Sequence, residues 1–189
     1  MIISLSGAPG SGKSTVAQML AEKLGWQRYY MGRIWREMAS KHGVDVMAYS
    51  KLNESSPDKD KEVDEYQREL GKDKDNFVIE GRTSWYFIPH SFKIFLDVYP
   101  EEGAKRIFGA VQHKNSRNEG DNLATWQDVL ASNKERTASD NGRYLKYYGI
   151  DVNNPANYDL YLDTSDLNEN ESFNIVYNFI KDRLDKTNI

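Results

Sequence analysis

The sequence predicts an α/β protein in which a parallel sheet carries helices on both faces. Short apolar runs of strand length alternate with longer segments whose apolar residues recur at helical spacing, over nearly the whole 189-residue chain. The first run leads through a glycine-rich loop directly into a helical pattern. Right-handed crossovers between successive strands make such a sheet parallel. One domain, residues 1–189, is expected, because domains usually hold roughly 100 to 200 residues.

The first part of the chain predicts two strands, each followed by a helix. Residues 2–5 are β-branched and apolar, and apolar residues at helical spacing follow over residues 13–24. Gly25 stands where a helix C-cap belongs. Residues 27–31 then predict a second strand and residues 34–41 a second helix.

The middle of the chain predicts two polar helices and two buried strands. Residues 45–71 are polar with helical spacing, and Pro57 separates a first helix from one that begins near Asp58. Acidic residues there suit the positive end of the helix dipole. Residues 76–80 and 92–98 are apolar runs, as expected for strands covered on both faces.

The last part of the chain predicts a loop, a helix, a strand and a helix. Residues 113–122 are rich in Asn, Ser, Gly and charge and lack periodicity, which predicts a mobile loop. A helix over residues 123–140, a strand over 158–163 and a helix over 171–184 follow. The expected architecture is therefore a three-layer α/β/α fold with a five-stranded parallel sheet.

Composition narrows the classes of function. A formal net charge of −4 disfavours a general nucleic-acid binder, so any anionic ligand must be met by a local cluster of arginines. With no cysteine, the chain has neither disulfides nor thiolate metal sites. No apolar run is long enough to span a bilayer, and the N-terminal residues lack the features of a signal peptide. A cytoplasmic location is expected.

The glycine-rich loop fits the pattern G-x-x-x-x-G-K-[ST] in full, and it lies between a predicted strand and a predicted helix. Backbone N–H groups of such a P-loop and of the helix N-terminus point at the β-phosphate of a nucleotide. Lys13 would reach the β and γ oxygens of ATP, and Ser14 would hold Mg²⁺. The alternative is a chance match in a glycine-rich turn. The predicted ATP-binding residues are Gly7, Ala8, Pro9, Gly10, Ser11, Gly12, Lys13, Ser14 and Thr15.

A second carboxylate is needed to fix the hydrated metal ion. Glu80 and Asp97 both end buried strands, and either could instead cap a loop. Gly81 and Arg82 follow Glu80, which favours Glu80 in the light of the resemblance below.

Several separated motifs go beyond the P-loop. They are Gly32-Arg33-Ile34-Trp35-Arg36-Glu37-Met38-Ala39, Pro57 with Asp60, Asp64 and Gln67, Glu80-Gly81-Arg82, Arg136 with Asp140 and Arg143-Tyr144, Gly149-Ile150-Asp151, Tyr158-Asp159-Leu160, and Thr164-Ser165. In their order and spacing the chain resembles cytidylate kinases, in particular the short form typical of archaea, over nearly its whole length.

The resemblance implies an enzyme that transfers the γ-phosphoryl group of ATP to CMP or dCMP, with Mg²⁺, giving CDP or dCDP and ADP. It implies nucleoside-monophosphate-binding helices at about 32–72 and a short lid at about 111–140. Small-molecule nucleotides would be the partners, with no nucleic acid and no membrane, and a monomer is expected.

A kinase acting on a nucleotide must bind a second phosphate dianion, and arginine side chains do so with paired hydrogen bonds. Arg36 and Arg82 follow the second and third strands, so both can converge at the C-terminal edge of the sheet beside the P-loop. The resemblance implies that these two hold the acceptor phosphate.

Arg136, Asp140 and Arg143 are spaced i, i+4 and i+7, which places them on one face of a helix. On spacing alone, a solvated salt-bridged face is the simpler interpretation. The resemblance implies instead that the arginines act in catalysis with Lys13, in contact with the transferred or acceptor phosphate. The acid would accept a hydrogen bond from the sugar.

Asp60, Asp64 and Gln67 are the candidates for reading the N4 amino, N3 and O2 edge of cytosine. On a polar helix they could equally face solvent.

Two rival functions remain at this point. A small kinase of another acceptor, such as AMP, shikimate or gluconate, would share the fold and the P-loop. A P-loop ATPase switch would turn over ATP without any acceptor and would expose an apolar face.

Overall fold

The computed structural model describes residues 1–44, 48–49, 58–113 and 124–187, with only the backbone at 58–62, 111–113 and 185–187. Its sheet has five parallel strands. These are β1 (Ile2–Gly7), β2 (Gln27–Tyr30), β3 (Phe77–Glu80), β4 (Phe92–Asp97) and β5 (Leu160–Asp163). Their order in the sheet is β2-β3-β1-β4-β5. The predicted five-stranded parallel sheet is confirmed.

Seven helices connect and cover these strands in the described part of the chain. They are α1 (Lys13–Leu24), α2 (Met31–Lys41), α3 (Asp58–Asp73), α4 (Ser84–Phe87), α5 (Pro100–His113), α6 (Trp126–Tyr148) and α7 (Glu169–Thr187). None of the described helices has the length and apolar composition that crossing a membrane requires.

Apolar side chains from both faces of the sheet form the core and produce the three predicted layers. On one face, Ile3 and Leu5 of β1 pack with Val16 of α1 and Val176 of α7. On the other face, the neighbouring Ile2 packs with residues of α2 and α3. This alternation follows from the period of two in a strand, and both faces are apolar because both are covered.

Most predicted elements are present, with differences at their ends. Helix α1 has the predicted bounds, and α3 begins at Asp58 as predicted. Helix α6 begins later than predicted because Thr125 and Asp128 form a capping box, and it continues to Tyr148 instead of ending at residue 140. The sequence interpretation assigned no helix to Pro100–His113, which is α5.

Some predictions fall outside the described residues. Residues 45–47 and 50–57, and with them most of the first polar helix and Pro57, are outside, as are residues 114–123 of the expected loop and lid.

Strand register brings the C-terminal ends of the central strands together. Leu5 of β1 and Tyr30 of β2 are both level with Glu80 of β3, and Gly7 is level with Leu96 of β4. The connections that follow these strands therefore gather at one edge of the sheet, where open α/β folds bind their ligands.

Candidate active site

The P-loop conformation depends on glycine. Gly10 and Gly12 have φ angles of 82° and 79°, in the left-handed region that L side chains rarely adopt. A Cβ atom on Gly10 would also lie 2.2 Å from the carbonyl oxygen of Gly103 in α5. Lys13 Nζ donates a hydrogen bond to the Ala8 carbonyl at 3.2 Å, so its ammonium group lies across the loop. The loop thus presents its lysine and the N-terminus of α1 to the same space.

Ser14 and Glu80 meet at the start of α1. Ser14 Oγ donates a hydrogen bond to Glu80 Oε2 at 2.7 Å, and Arg28 Nε on β2 donates to Glu80 Oε1 at 2.7 Å. Only 1% of Glu80 is exposed, so Arg28 supplies the positive charge that stabilises its carboxylate. A hydroxyl beside an anionic carboxylate is a set of hard oxygen ligands that Mg²⁺ prefers. These residues fit a magnesium ion.

Asp97, the alternative metal carboxylate, has other partners. It accepts hydrogen bonds from the Tyr161 hydroxyl at 2.7 Å and from the Val98 backbone N–H. Glu80 lines a cavity of about 220 Å³ beside the P-loop, and Asp97 does not. The geometry therefore favours Glu80.

Most of the predicted site residues line this cavity of about 220 Å³. Its lining includes residues of the P-loop and of α2, α3 and α6. The predicted residues that line it are Pro9, Gly10, Gly12, Lys13, Ser14, Thr15, Arg36, Asp64, Gln67, Glu80, Arg82, Arg136, Asp140 and Arg143.

The remaining predicted residues are not among those that line this cavity. Gly7 and Ala8 line a smaller cavity of about 50 Å³. Ser11 is buried, and Thr164 Oγ1 donates a hydrogen bond to its carbonyl oxygen at 3.2 Å. The Asp60 side chain lies outside the described part of the structure.

Three arginines and one carboxylate form a cluster beside the P-loop. Asp140 accepts a hydrogen bond from Arg143 at 2.9 Å through Oδ1 and another from Arg82 through Oδ2. The Arg143 guanidinium lies 5.2 Å from the centre of the Trp35 ring. Arg143 is only 3% exposed and Asp140 6%. Asp140 and Arg143 on this face of α6 are therefore turned inward, and the solvated alternative is wrong for these two residues.

The cluster carries more positive than negative charge. Burial, together with the nearby charges of Arg136 and Arg143, lowers the pKa of Arg82 to about 10. The buried Nε of Arg136 has no hydrogen-bond partner among the residues that the structure describes. A phosphate group would supply both the missing negative charge and the missing acceptor.

Arg36 lines the same cavity from α2. Its guanidinium donates a hydrogen bond to the Tyr30 hydroxyl and lies 4.8 Å from the centre of the Tyr30 ring. Tyr30 ends β2, so the strand end fixes the position of Arg36 near the P-loop.

Asp64 and Gln67 of α3 face inward. They are 6% and 1% exposed, which excludes the solvent-facing alternative for these two residues. The Tyr148 hydroxyl donates a hydrogen bond to Asp64 Oδ2, and Ser84 Oγ donates to Gln67 Oε1 at 2.7 Å. Both side chains are therefore oriented by hydroxyl groups from other elements.

The sequence interpretation missed the partners of its predicted residues. Arg28, Ser84 and Tyr148 each contact a site residue that is distant in sequence, by 52, 17 and 84 positions. The role of Arg28 could have been predicted in part, because a charged residue within a short strand of a covered sheet needs a partner. Ser84 and Tyr148 carried no such signal, because their contacts depend on how the helices pack.

Comparisons with known proteins identify the family of this chain and support its fold. The model of the cytidylate kinase-like family matches residues 2–166. A cytidylate kinase of Methanocorpusculum labreanum is 33% identical over 93% of this chain and 94% of its own length. One of Pyrobaculum aerophilum is 37% identical over 93% of this chain and 90% of its own. Among solved structures, shikimate kinase of Bacteroides thetaiotaomicron has a TM-score of 0.62 at 13% identity, covering 96% of this chain and 98% of that one. At that identity the likeness shows the fold alone.

Proposed function

The chain belongs to the cytidylate kinase-like family, and on that premise we propose that it transfers the γ-phosphoryl group of ATP to CMP or dCMP, giving ADP and CDP or dCDP. One observation carries the proposal. A single cavity of about 220 Å³ is lined by the P-loop and by four arginines, so it offers places for two phosphate groups side by side. An enzyme that joins a donor and an acceptor phosphate requires this arrangement.

Residues 7–15 hold the donor ATP. Their backbone N–H groups and the N-terminus of α1 meet the β-phosphate, and Lys13 compensates the charge of the β and γ oxygens. Ser14 and Glu80 would hold Mg²⁺, which would supply positive charge to neutralise the phosphates of ATP. Ser14 already contacts the Glu80 carboxylate at 2.7 Å.

Arg36, Arg82, Arg136 and Arg143 hold the acceptor phosphate and the transferring group. Together with Lys13 they line one cavity, so their positive charge stabilises the negative charge that spreads over the equatorial oxygens in the transition state. Asp140 orients two of these arginines. Asp64 and Gln67, with Asp60, contact the base.

The transfer passes through a loose transition state that needs little covalent help from the protein. The residues act by aligning the two phosphates and by excluding water, which would otherwise accept the phosphoryl group. The division of the chain into acceptor-binding helices at about 32–72 and a lid at about 111–140 stays a prediction, as do a monomeric state and a cytoplasmic location.

An acceptor screen tests the proposal. Formation of ADP from ATP and Mg²⁺ is measured in a coupled assay with CMP, dCMP, UMP, AMP, shikimate or gluconate, and without acceptor. We expect CMP or dCMP to give the highest kcat/KM. Preference for AMP, shikimate or gluconate would contradict the proposed acceptor, and equal ADP formation without any acceptor would favour an ATPase.

A further inference from the structure

We propose that two hydroxyl groups behind the acceptor site, those of Tyr148 and Ser84, make the site selective for cytosine over uracil. They do so by fixing which hydrogen-bonding group Asp64 and Gln67 offer to the base. The inference rests on the proposed function, because it assigns the base to Asp64 and Gln67. Tyr148 and Ser84 act as positioning residues, since each reaches the base only through its partner.

Tyr148 makes Asp64 a fixed acceptor. Its hydroxyl, at the end of α6, donates a hydrogen bond to Asp64 Oδ2 on α3. The Tyr148 ring packs edge-on against Phe87 at 5.4 Å and lies 5.9 Å from Tyr86, so the hydroxyl is held in place by α4. This hydrogen bond fixes the orientation of the Asp64 carboxylate, and carboxylate oxygens accept hydrogen bonds.

Ser84 turns the Gln67 amide. An amide side chain carries one acceptor and one donor group, and rotation by 180° exchanges them. Ser84 is fully buried, and its Oγ donates to Gln67 Oε1 at 2.7 Å. The carbonyl of Gln67 is thereby directed to Ser84, and the NH₂ group is the part that remains for a ligand in the cavity. Gln67 therefore acts as a donor.

Asp64 and Gln67 are three residues apart on one helix, so they are neighbours on one face and can meet adjacent atoms of a base. Cytosine presents a donor, the N4 amino group, beside an acceptor, N3. Uracil presents the reverse, with O4 as acceptor beside the N3–H donor. An acceptor at Asp64 and a donor at Gln67 pair with cytosine, whereas uracil would place like groups against each other and leave both unpaired.

The test compares kcat/KM for CMP and for UMP, which share the phosphate and the ribose, so the ratio isolates the base. The variants are Tyr148→Phe and Ser84→Ala, with Tyr147→Phe as the control for losing a hydroxyl from the same helix. Thermal unfolding of each variant verifies that it is folded.

We expect the wild-type enzyme to prefer CMP. The ratio should fall by about tenfold in Tyr148→Phe and in Ser84→Ala, because one fixed hydrogen bond is worth about that factor. In Ser84→Ala the freed amide can turn its carbonyl to uracil N3–H, so kcat/KM for UMP should rise as well. Tyr147→Phe should leave the ratio unchanged.

Two outcomes would overturn the inference, and they are distinguishable. If wild type phosphorylates CMP but both variants lose activity equally with CMP and UMP, the hydroxyls only support the fold, and the proposed function stands. If wild type phosphorylates neither nucleotide, the proposed function fails, and this inference fails with it.

Discussion

The Asp140 carboxylate lies buried between two arginines of the acceptor site, Arg82 and Arg143. The resemblance implies a contact with the sugar of the acceptor, but in the structure each carboxylate oxygen accepts a hydrogen bond from an arginine, Arg143 or Arg82. We therefore expect Asp140→Asn to lower kcat/KM by the same factor for every acceptor, because all acceptors carry the phosphate that these arginines hold. Loss of one charge-assisted hydrogen bond, worth about 1.5 to 3 kcal/mol, lowers kcat/KM by about 10- to 150-fold.

The same substitution should destabilise the protein. Removing one partner of a buried ion pair typically costs about 3 to 5 kcal/mol, and Asp140 is buried between two arginines. For a chain of this length, 1 kcal/mol shifts Tm by about 2 to 4 °C, so Tm should fall by roughly 6 to 20 °C. Inorganic phosphate should raise Tm more in the variant than in wild type, because the arginine cluster has lost its internal anion.

The assay is kcat/KM for CMP, dCMP and 2′,3′-dideoxy-CMP in wild type and Asp140→Asn. Glu135→Gln, on the exposed side of the same helix, makes the same change in charge and serves as the control. Losses that agree within about threefold across the three acceptors support the orienting role. A loss of kcat/KM more than tenfold larger for CMP than for the dideoxy acceptor would refute the orienting role and support a contact between Asp140 and the sugar.

Three other substitutions test the donor, acceptor and metal parts of the site. Lys13→Ala should abolish transfer with Tm nearly unchanged, and activity near wild type would remove Lys13 from the mechanism. Arg36→Ala should raise KM for CMP, because about 2 to 5 kcal/mol of acceptor binding free energy is lost, and it should leave the ATP affinity, measured by calorimetry, unchanged. An equal loss of ATP affinity would place Arg36 at the donor phosphate. Arg28→Met leaves the Glu80 carboxylate without its cation, so adding Mg²⁺ to the ADP complex should raise Tm more than in wild type. An equal rise would contradict the role of Arg28 as the cation that stabilises the Glu80 carboxylate.

The parts of the site that are local in sequence could be predicted before the structure. The P-loop follows from residues 7–15 and α1 from the apolar spacing of residues 13–24, because loop, cap and helix are determined by near neighbours. Asp140 and Arg143 could be placed on one face of a helix for the same reason. Whether that face was solvated or buried could not be decided from spacing, because burial depends on how α6 packs against the rest of the fold.

Helix α5 was missed although its sequence carries a signal. Pro100 and the acidic residues Glu101 and Glu102 stand in its first turn, where proline and negative charge are favoured. The choice between Glu80 and Asp97 needed the strand register and the side-chain partners. The contacts of Tyr148 and Ser84 required the complete tertiary structure, since they join elements that are not adjacent in the chain.

In the proposed reaction, one cavity holds a donor and an acceptor phosphate, and the phosphoryl group passes between them. The most direct measurement is ³¹P NMR of the protein with ATP, CMP and Mg²⁺, which separates the signals of CDP, ADP and inorganic phosphate. We expect CDP and ADP to form in equal amounts with almost no inorganic phosphate, and neither to form with Lys13→Ala. Release of inorganic phosphate in step with ADP, without CDP, would contradict it.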